Sequence, residues 1–230
     1  MRDRKTARKP NRRGIVALYV LIVLIAVIGV LSLNESGDRS DRAGRERTGG
    51  AGGGPFRIVI DAGHGGIDPG AEGASGAEEK TMVLSVALKV GELLRQDPMF
   101  EVYMTREDDS FLELEDRADY SNDVQADAFL SLHGNQYDDP TISGVETYYD
   151  SEDSMRLAQT IHGKLVPATG FEDRGVKREE WTVLALNERP SILIELGFLS
   201  NPTEEASMLD PRWQNDAAQA IADGLKQYFG

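Results

Sequence analysis

The 230-residue chain carries 39 acidic residues against 25 basic ones, has a formal net charge of −14, and contains no cysteine. Binding to nucleic acid depends on neutralising phosphates with Lys and Arg, so this charge balance excludes it as a partner. Without thiols there is no disulfide framework, and any metal must be held by His, Asp or Glu.

Residues 1–13, MRDRKTARKPNRR, hold seven Lys or Arg and one Asp. Residues 14–33, GIVALYVLIVLIAVIGVLSL, hold no charge, and at about 1.5 Å per residue they match the roughly 30 Å core of a bilayer. The basic flank belongs on the cytoplasmic side, so a single-pass cell-membrane protein with its folded domain outside is expected. A signal peptide has a shorter apolar core and a small-residue cleavage site; if the segment is cleaved all the same, the domain is secreted. Residues 34–54 combine seven Gly, four acids and four bases with no large apolar residue. They read as a flexible linker, spanning about 25 Å as a random coil. Residues 55–230 suit one domain, able to bury about 70% of its unfolded surface. With +6 on residues 1–13 and 0 on the linker, a charge of −20 falls on this domain, where it favours solubility.

Within the domain, residues 56–61 (FRIVID) read as a strand, and residues 80–95 place apolar side chains at helical spacing. A strand is expected at 100–105, and a helix at 112–124 with Leu114, Ala118 and Tyr120 or Ser121 inward. Strands follow at 128–132 and 145–149, then a helix at 154–166. Residues 181–186 read as a short strand, 191–198 (SILIELGF) as a strong one, and 212–229 as a closing amphipathic helix. Strands alternating with helices predict an α/β fold, a largely parallel twisted sheet flanked by helices.

The polar residues of interest gather at strand ends. His64 follows the first strand in IDAGHGG, His133 ends AFLSLHGN, and Glu195 lies near the carboxyl end of SILIELGF. Open α/β sheets bind ligands at the carboxyl ends of their strands. Two imidazoles and a carboxylate are the protein ligands of a catalytic zinc site, with a fourth position left for water. A second carboxylate is then needed to move protons. Glu78 or Glu79, and Glu195, are the candidates for these two carboxylate roles. Ser75-Gly-Ala-Glu78 fits a capping box, which gives Glu78 a structural task. Glu79 then stands in the first helical turn, where the dipole favours a charged carboxylate, and is the better ligand. GHGG lacks the order of a nucleotide-binding loop; Gly63, Gly65 and Gly66 suit a tight turn aiming His64 inward. His162, on a helix, reads as solvated or partly packed. Arg106 is taken as structural, pairing with Asp108 or Asp109, with contact to substrate as the alternative. Asn135 either orients His133 or caps the turn.

IVIDAGHGGIDPGA, the Glu79-Lys80 pair, MTREDD, EDRADYSN, ADAFLSLHGN and RPSILIELGFLSNPTEE resemble, in order, the zinc-dependent N-acetylmuramoyl-L-alanine amidases of the family-3 type. The likeness covers about residues 56–229. It implies one Zn2+ on His64, Glu79 and His133, with Glu195 as catalytic acid/base. It also implies hydrolysis of the amide joining the lactyl group of N-acetylmuramic acid to L-alanine of the peptidoglycan stem peptide, on the cell-wall side of the membrane. Gly134 stands where relatives commonly have alanine, which should loosen the turn after His133. Some relatives carry a helical insertion that blocks the site until a partner protein moves it. The 61 residues between His133 and Glu195 are mostly used by predicted elements, so no such autoinhibitory helix is expected, although an activator protein stays compatible with the resemblance. Two other readings compete: a different His/His/Glu metallohydrolase, such as a zinc peptidase, and a non-catalytic wall-binding module on the same fold.

Overall fold

A computed structural model describes residues 53–230. The expected basic segment, membrane-spanning helix and all but the last two residues of the linker lie outside the described residues. Among the described residues no helix is long and apolar enough to cross a membrane.

Six strands form one sheet in the order β2-β1-β3-β6-β4-β5. They are β1 (Phe56–Ala62), β2 (Phe100–Met104), β3 (Ala128–Asn135), β4 (Val145–Tyr149), β5 (Asp173–Arg178) and β6 (Ser191–Phe198). Every pairing is parallel except β4 against β6. The central strands are apolar on both faces because helices cover both. Ile58, Ile60, Leu130, Leu132, Ile192 and Ile194 point to one side, where α1 (Glu79–Arg95), α3 (Glu152–Thr169) and α6 (Pro211–Phe229) pack. The alternate residues Val59, Phe129 and Leu193 point to the other side, beneath α2 (Leu114–Asp123) and α4 (Thr182–Ala185). The period of two along each strand thus divides the core into two layers. α1 supplies Met82, Val83, Val86, Ala87, Val90 and Leu94, the three- and four-residue spacing of an amphipathic helix.

Several elements differ from expectation. Residues 181–186 form the single turn α4 instead of a strand. Val183 and Leu184 both enter the apolar cluster with Phe129 and Leu193; successive residues of a strand point to opposite faces, so only a helical turn lets both reach it. β5 (DRGVKR) is an edge strand with no buried residue, hence without an apolar signature. Another helix, α5 (Pro202–Met208), is too short for periodicity; it starts at Asn201, whose side chain accepts from the backbone N–H of Thr203 and Glu204. Leu114 is 51% exposed, while Ala118 and Ser121 are buried as expected. His162 is buried, joining α3 to β4 and β5 through Thr147 Oγ1 (2.9 Å) and Asp173 Oδ1 (2.9 Å).

Two consecutive glutamates of α5 fasten loops near the carboxyl edge of the sheet. Glu204 accepts from Phe198 N (2.7 Å), Gly144 N (2.8 Å) and Ser143 Oγ (2.7 Å). Glu205 accepts from the backbone N and Oγ of Ser75, at 2.9 and 2.7 Å. Both carboxylates are buried. Replacing Glu204 by Ala leaves two buried backbone N–H groups unpaired, at about 1–3 kcal/mol each. At about 2–4 °C per kcal/mol for a domain of this size, Glu204→Ala should lower the thermal midpoint by roughly 4–24 °C. Scanning calorimetry checks this; a shift under about 2 °C would mean that these donors find other partners.

Candidate metal centre

Because β1, β3 and β6 run parallel, their carboxyl ends meet at one edge. His64 lies two residues past β1, and His133 lies in β3 directly opposite Glu195 of β6. Glu79 is the first residue of α1, is 3% exposed, and is carried to the same place by the loop from β1. His64 Nε2 is 3.0 Å and His133 Nδ1 is 2.9 Å from Glu79 Oε1, and the two imidazole nitrogens are 3.1 Å apart. His64, Glu79 and His133 thus form one cluster able to hold a metal ion.

The backbone around the cluster is shaped to it. A Cβ on Gly63 would collide with the imidazole of His133. Gly70, at φ +68, has the same constraint: a Cβ there would stand 2.5 Å from Glu79 Oε2 and 2.7 Å from His64 Cδ2. His64 itself has φ +61, a left-handed conformation uncommon for a side-chain-bearing residue. These contacts give Gly63 and Gly70 of GHGGIDPG a stronger reason than turn formation alone.

Hydrogen bonds fix the donors. His64 Nδ1 lies 2.8 Å from Asp68 Oδ2; a carboxylate there accepts the Nδ1 proton and leaves the Nε2 lone pair facing the cluster, as in metal-binding histidines generally. Glu79 Oε1 accepts from Gly134 N (2.9 Å), and Oε2 accepts from Ala71 N (2.8 Å). Burial works against ionisation of Glu79, but the bonds and charges of His133 and His64 outweigh it and hold its pKa far below the usual carboxylate range. Burial likewise opposes the His64 imidazolium, yet Glu79 and Asp68 outweigh it and raise that pKa. Glu195 is the opposite case. It is 6% exposed, its Oε2 has no hydrogen-bond partner among the described residues, and burial, reinforced by the charges of Glu79 and Glu146, raises its pKa well above normal. A buried carboxyl oxygen without a partner calls for a functional explanation.

A 390 Å³ cleft lined by His64, Glu79, His133, Trp181 and Glu195 opens over the cluster. A 570 Å³ groove continues from His64, His133 and Trp181 along Phe111, Leu114 and Leu193. The donor set fits a zinc-type ion in chemistry and spacing. Ligands at 2.0–2.1 Å from a tetrahedral ion stand about 3.3 Å apart, a few tenths of an ångström wider than the distances here.

The expected capping box does not form: Ser75 is turned to Glu205, and Glu78 is an N-cap without a side-chain bond, lying 3.5 Å from Lys80 Nζ. Glu79, not Glu78, joins the cluster. Arg106 binds main-chain carbonyls, including that of Asp108, rather than the Asp108 or Asp109 carboxylates. Asn135 Oδ1 accepts from Gln136 N and its Nδ2 donates to Glu146, so it secures the turn instead of orienting His133. In place of a loosened turn at Gly134, an added Cβ would meet Met82 Cε at 2.9 Å and Leu199 Cδ1 at 3.0 Å. Sequence reading missed Asp68 and Glu146. Asp68 carried a signal, four residues after His64 in a turn; Glu146, in register with Glu195 on β4 and bonded by Arg174, Lys177 and Tyr148, carried none in the strand VETYY.

Residues 58–227 match the N-acetylmuramoyl-L-alanine amidase family, Amidase_3. The probable cell wall amidase LytH of Staphylococcus epidermidis is 36% identical over 174 residues, 75% of this chain and 58% of that protein. Thus the match spans little more than half of that relative. The catalytic domain of CwlV, an amidase from Bacillus (Paenibacillus) polymyxa, is 43% identical with a TM-score of 0.74, covering 75% of this chain and 97% of that one. CwlD of Clostridioides difficile, solved in complex with the GerS lipoprotein, is 34% identical with a TM-score of 0.66, covering 75% and 98%. With its parallel sheet, its His/Glu/His cluster and a match running through nearly all of the described residues, the chain belongs to the N-acetylmuramoyl-L-alanine amidase family.

Proposed function

We propose that the chain is a zinc-dependent amidase that hydrolyses the bond between the lactyl group of N-acetylmuramic acid and L-alanine of the peptidoglycan stem peptide. The observation that supports it best is the cluster of His64, Glu79 and His133 sharing one cleft with a buried, unpartnered carboxyl oxygen of Glu195. Held by His64 Nε2, Glu79 Oε1 and His133 Nδ1, zinc would supply Lewis acidity and a water of lowered pKa. Glu195 Oε2 takes a proton from the attacking water as oxygen bonds to the lactyl carbonyl carbon. The same oxygen gives the proton to the L-alanine nitrogen as the C–N bond breaks, leaving a lactyl carboxylic acid and a free amine. Asp68 holds the His64 ring in the tautomer that directs Nε2 inward. A wall-binding module without catalysis would have no use for the orphaned oxygen of Glu195.

The charge pattern of residues 1–54 supports a place in the cell membrane, with residues 14–33 as anchor and the enzyme facing the wall, or a secreted enzyme if that segment is cleaved. CwlD was solved with a lipoprotein partner; by analogy, a protein activator is compatible with this enzyme. The interval from β3 to β6 holds β4, α3, β5 and α4.

Three outcomes test this reading. A chelator should abolish release of L-alanine amino groups from purified wall, and zinc should restore it, followed by mass spectrometry of the products. His64→Ala, Glu79→Ala and His133→Ala should each lose bound metal by elemental analysis, whereas Glu195→Gln should keep it and lose turnover by about 10²–10⁴; near-normal turnover would remove Glu195 from its role. The third outcome concerns pH. An acid whose pKa is raised by folding destabilises the fold as pH climbs from its ordinary value, here 4.5, towards its folded value. With metal chelated, Glu195→Gln should therefore melt at the same temperature as the parent below about pH 4 and several degrees higher at pH 7. Equal midpoints at pH 7 would show Glu195 to be ionised in the metal-free fold.

A further inference from the structure

Two buried arginines lie under the loop that carries His64, and the proposed chemistry uses neither. Arg106, just after β2, is 3% exposed and Arg117 of α2 is 2% exposed. Arg106 Nε donates to Ala62 O (2.9 Å) and Nη1 to Asp108 O (2.9 Å), while Nη2 donates both to Gly63 O (2.7 Å) and to Lys80 O (2.9 Å). Arg117 Nη1 donates to Ala62 O (2.9 Å) and to Asp61 Oδ1 (2.8 Å), and Nη2 donates to His64 O (2.8 Å) and Leu112 O (3.0 Å). Three successive carbonyls, at residues 62, 63 and 64, therefore all end on guanidinium hydrogens.

The placement of Nη2 of Arg106 is specific. Gly63 precedes one cluster residue, His64, and Lys80 follows another, Glu79. One nitrogen thus fastens together the two backbone segments whose side chains must share an ion. Asp61 neutralises Arg117, and Ser131 Oγ and Thr105 Oγ1 complete that carboxylate at 2.6 and 2.7 Å. The hydrogen bonds of Arg106 among the described residues all end on carbonyls, and a buried guanidinium so placed is an expensive way to satisfy backbone unless their exact separation matters. The left-handed backbone of His64 adds a reason, because such a conformation persists only where its surroundings over-determine it.

We infer that Arg106, assisted by Arg117, is a positioning residue that sets the distance between the His64 and Glu79 backbones and so holds the ligand cluster ready before the ion arrives. This rests on the reading of the cluster as a metal site. Lysine at either position keeps the charge but cannot bridge two carbonyls in the planar geometry of a guanidinium.

The test compares the parent, Arg106→Lys, Arg117→Lys and the destabilised variant Glu204→Ala, whose lost side chain bonds none of the cluster residues. Zinc affinity is read by competition with a chromophoric chelator, and site geometry by the visible spectrum of the cobalt(II)-loaded proteins. Arg106→Lys should bind zinc about 10–100-fold more weakly with an altered cobalt spectrum. Arg117→Lys should weaken binding in the same direction, and it carries the test if Arg106→Lys does not fold. Glu204→Ala should keep parental affinity and spectrum despite its lower thermal midpoint. Folded arginine variants binding zinc within twofold of the parent, or an equal loss in Glu204→Ala, would overturn the inference while leaving the amidase reading intact. A parent that binds neither zinc nor cobalt would overturn both.

Discussion

The carboxylate of Glu79 is the interaction on which the carboxyl edge of the sheet depends. It comes from the first residue of α1, yet its oxygens accept from Ala71 in the preceding loop and from Gly134 in β3, and they face the imidazoles of His64 and His133. An ionised group at 3% exposure is tolerable only when its lone pairs are filled or a cation is near. Here filling them draws β1, α1 and β3 to one point. The same demand that keeps the carboxylate charged brings together the atoms able to hold an ion, so local stability and the capacity to bind metal have a common origin.

Buried acids serve elsewhere as fasteners in this acidic, cysteine-free domain. Asp61 gathers Arg117, Ser131 and Thr105; Glu204 and Glu205 hold the loops that enter β4 and α1; Glu146 gathers Arg174, Lys177, Tyr148 and Asn135. Each is satisfied by several donors, the condition under which a buried polar network rigidifies its surroundings. Glu195 departs from that rule. Glu79 and Glu146, the two carboxylates whose charges act on it, each accept from several donors, whereas its own Oε2 is left without one among the described residues. That contrast is what the proposed role of Glu195 in proton transfer rests on.

Much of this was legible in the sequence. Strands β1, β3 and β6 announce themselves as largely apolar runs because both faces are buried, and the three chemically informative residues stand at or near their carboxyl ends. What escaped did so for physical reasons. β5 is a charged edge strand with nothing to alternate. Residues 181–186, around α4, spell WTVLAL, with Trp, Thr and Val favouring strands, yet Val183 and Leu184 must enter one cluster. Ser75 carries a helix-capping signal that Glu205, 130 residues away, overrides. Glu146 and the two arginines beneath His64 matter through partners distant in the chain, which local patterns do not encode. The glutamate choice was readable from helix electrostatics, although the capping argument that led to it describes a bond that does not form.

The reversal of β4 against β6 has an architectural consequence. Running backwards beside a parallel sheet, β4 begins where β6 ends, with Glu146 abreast of Glu195, and β5 follows β4 in the same direction. Residues 136–144 therefore enter the sheet at the rim of the cleft while carrying none of the cluster ligands. Lengthening such a connection raises its closure entropy only slowly. Evolution or an engineer could add a hood, a recognition arm or a docking platform there, and the atoms able to hold an ion would keep their spacing.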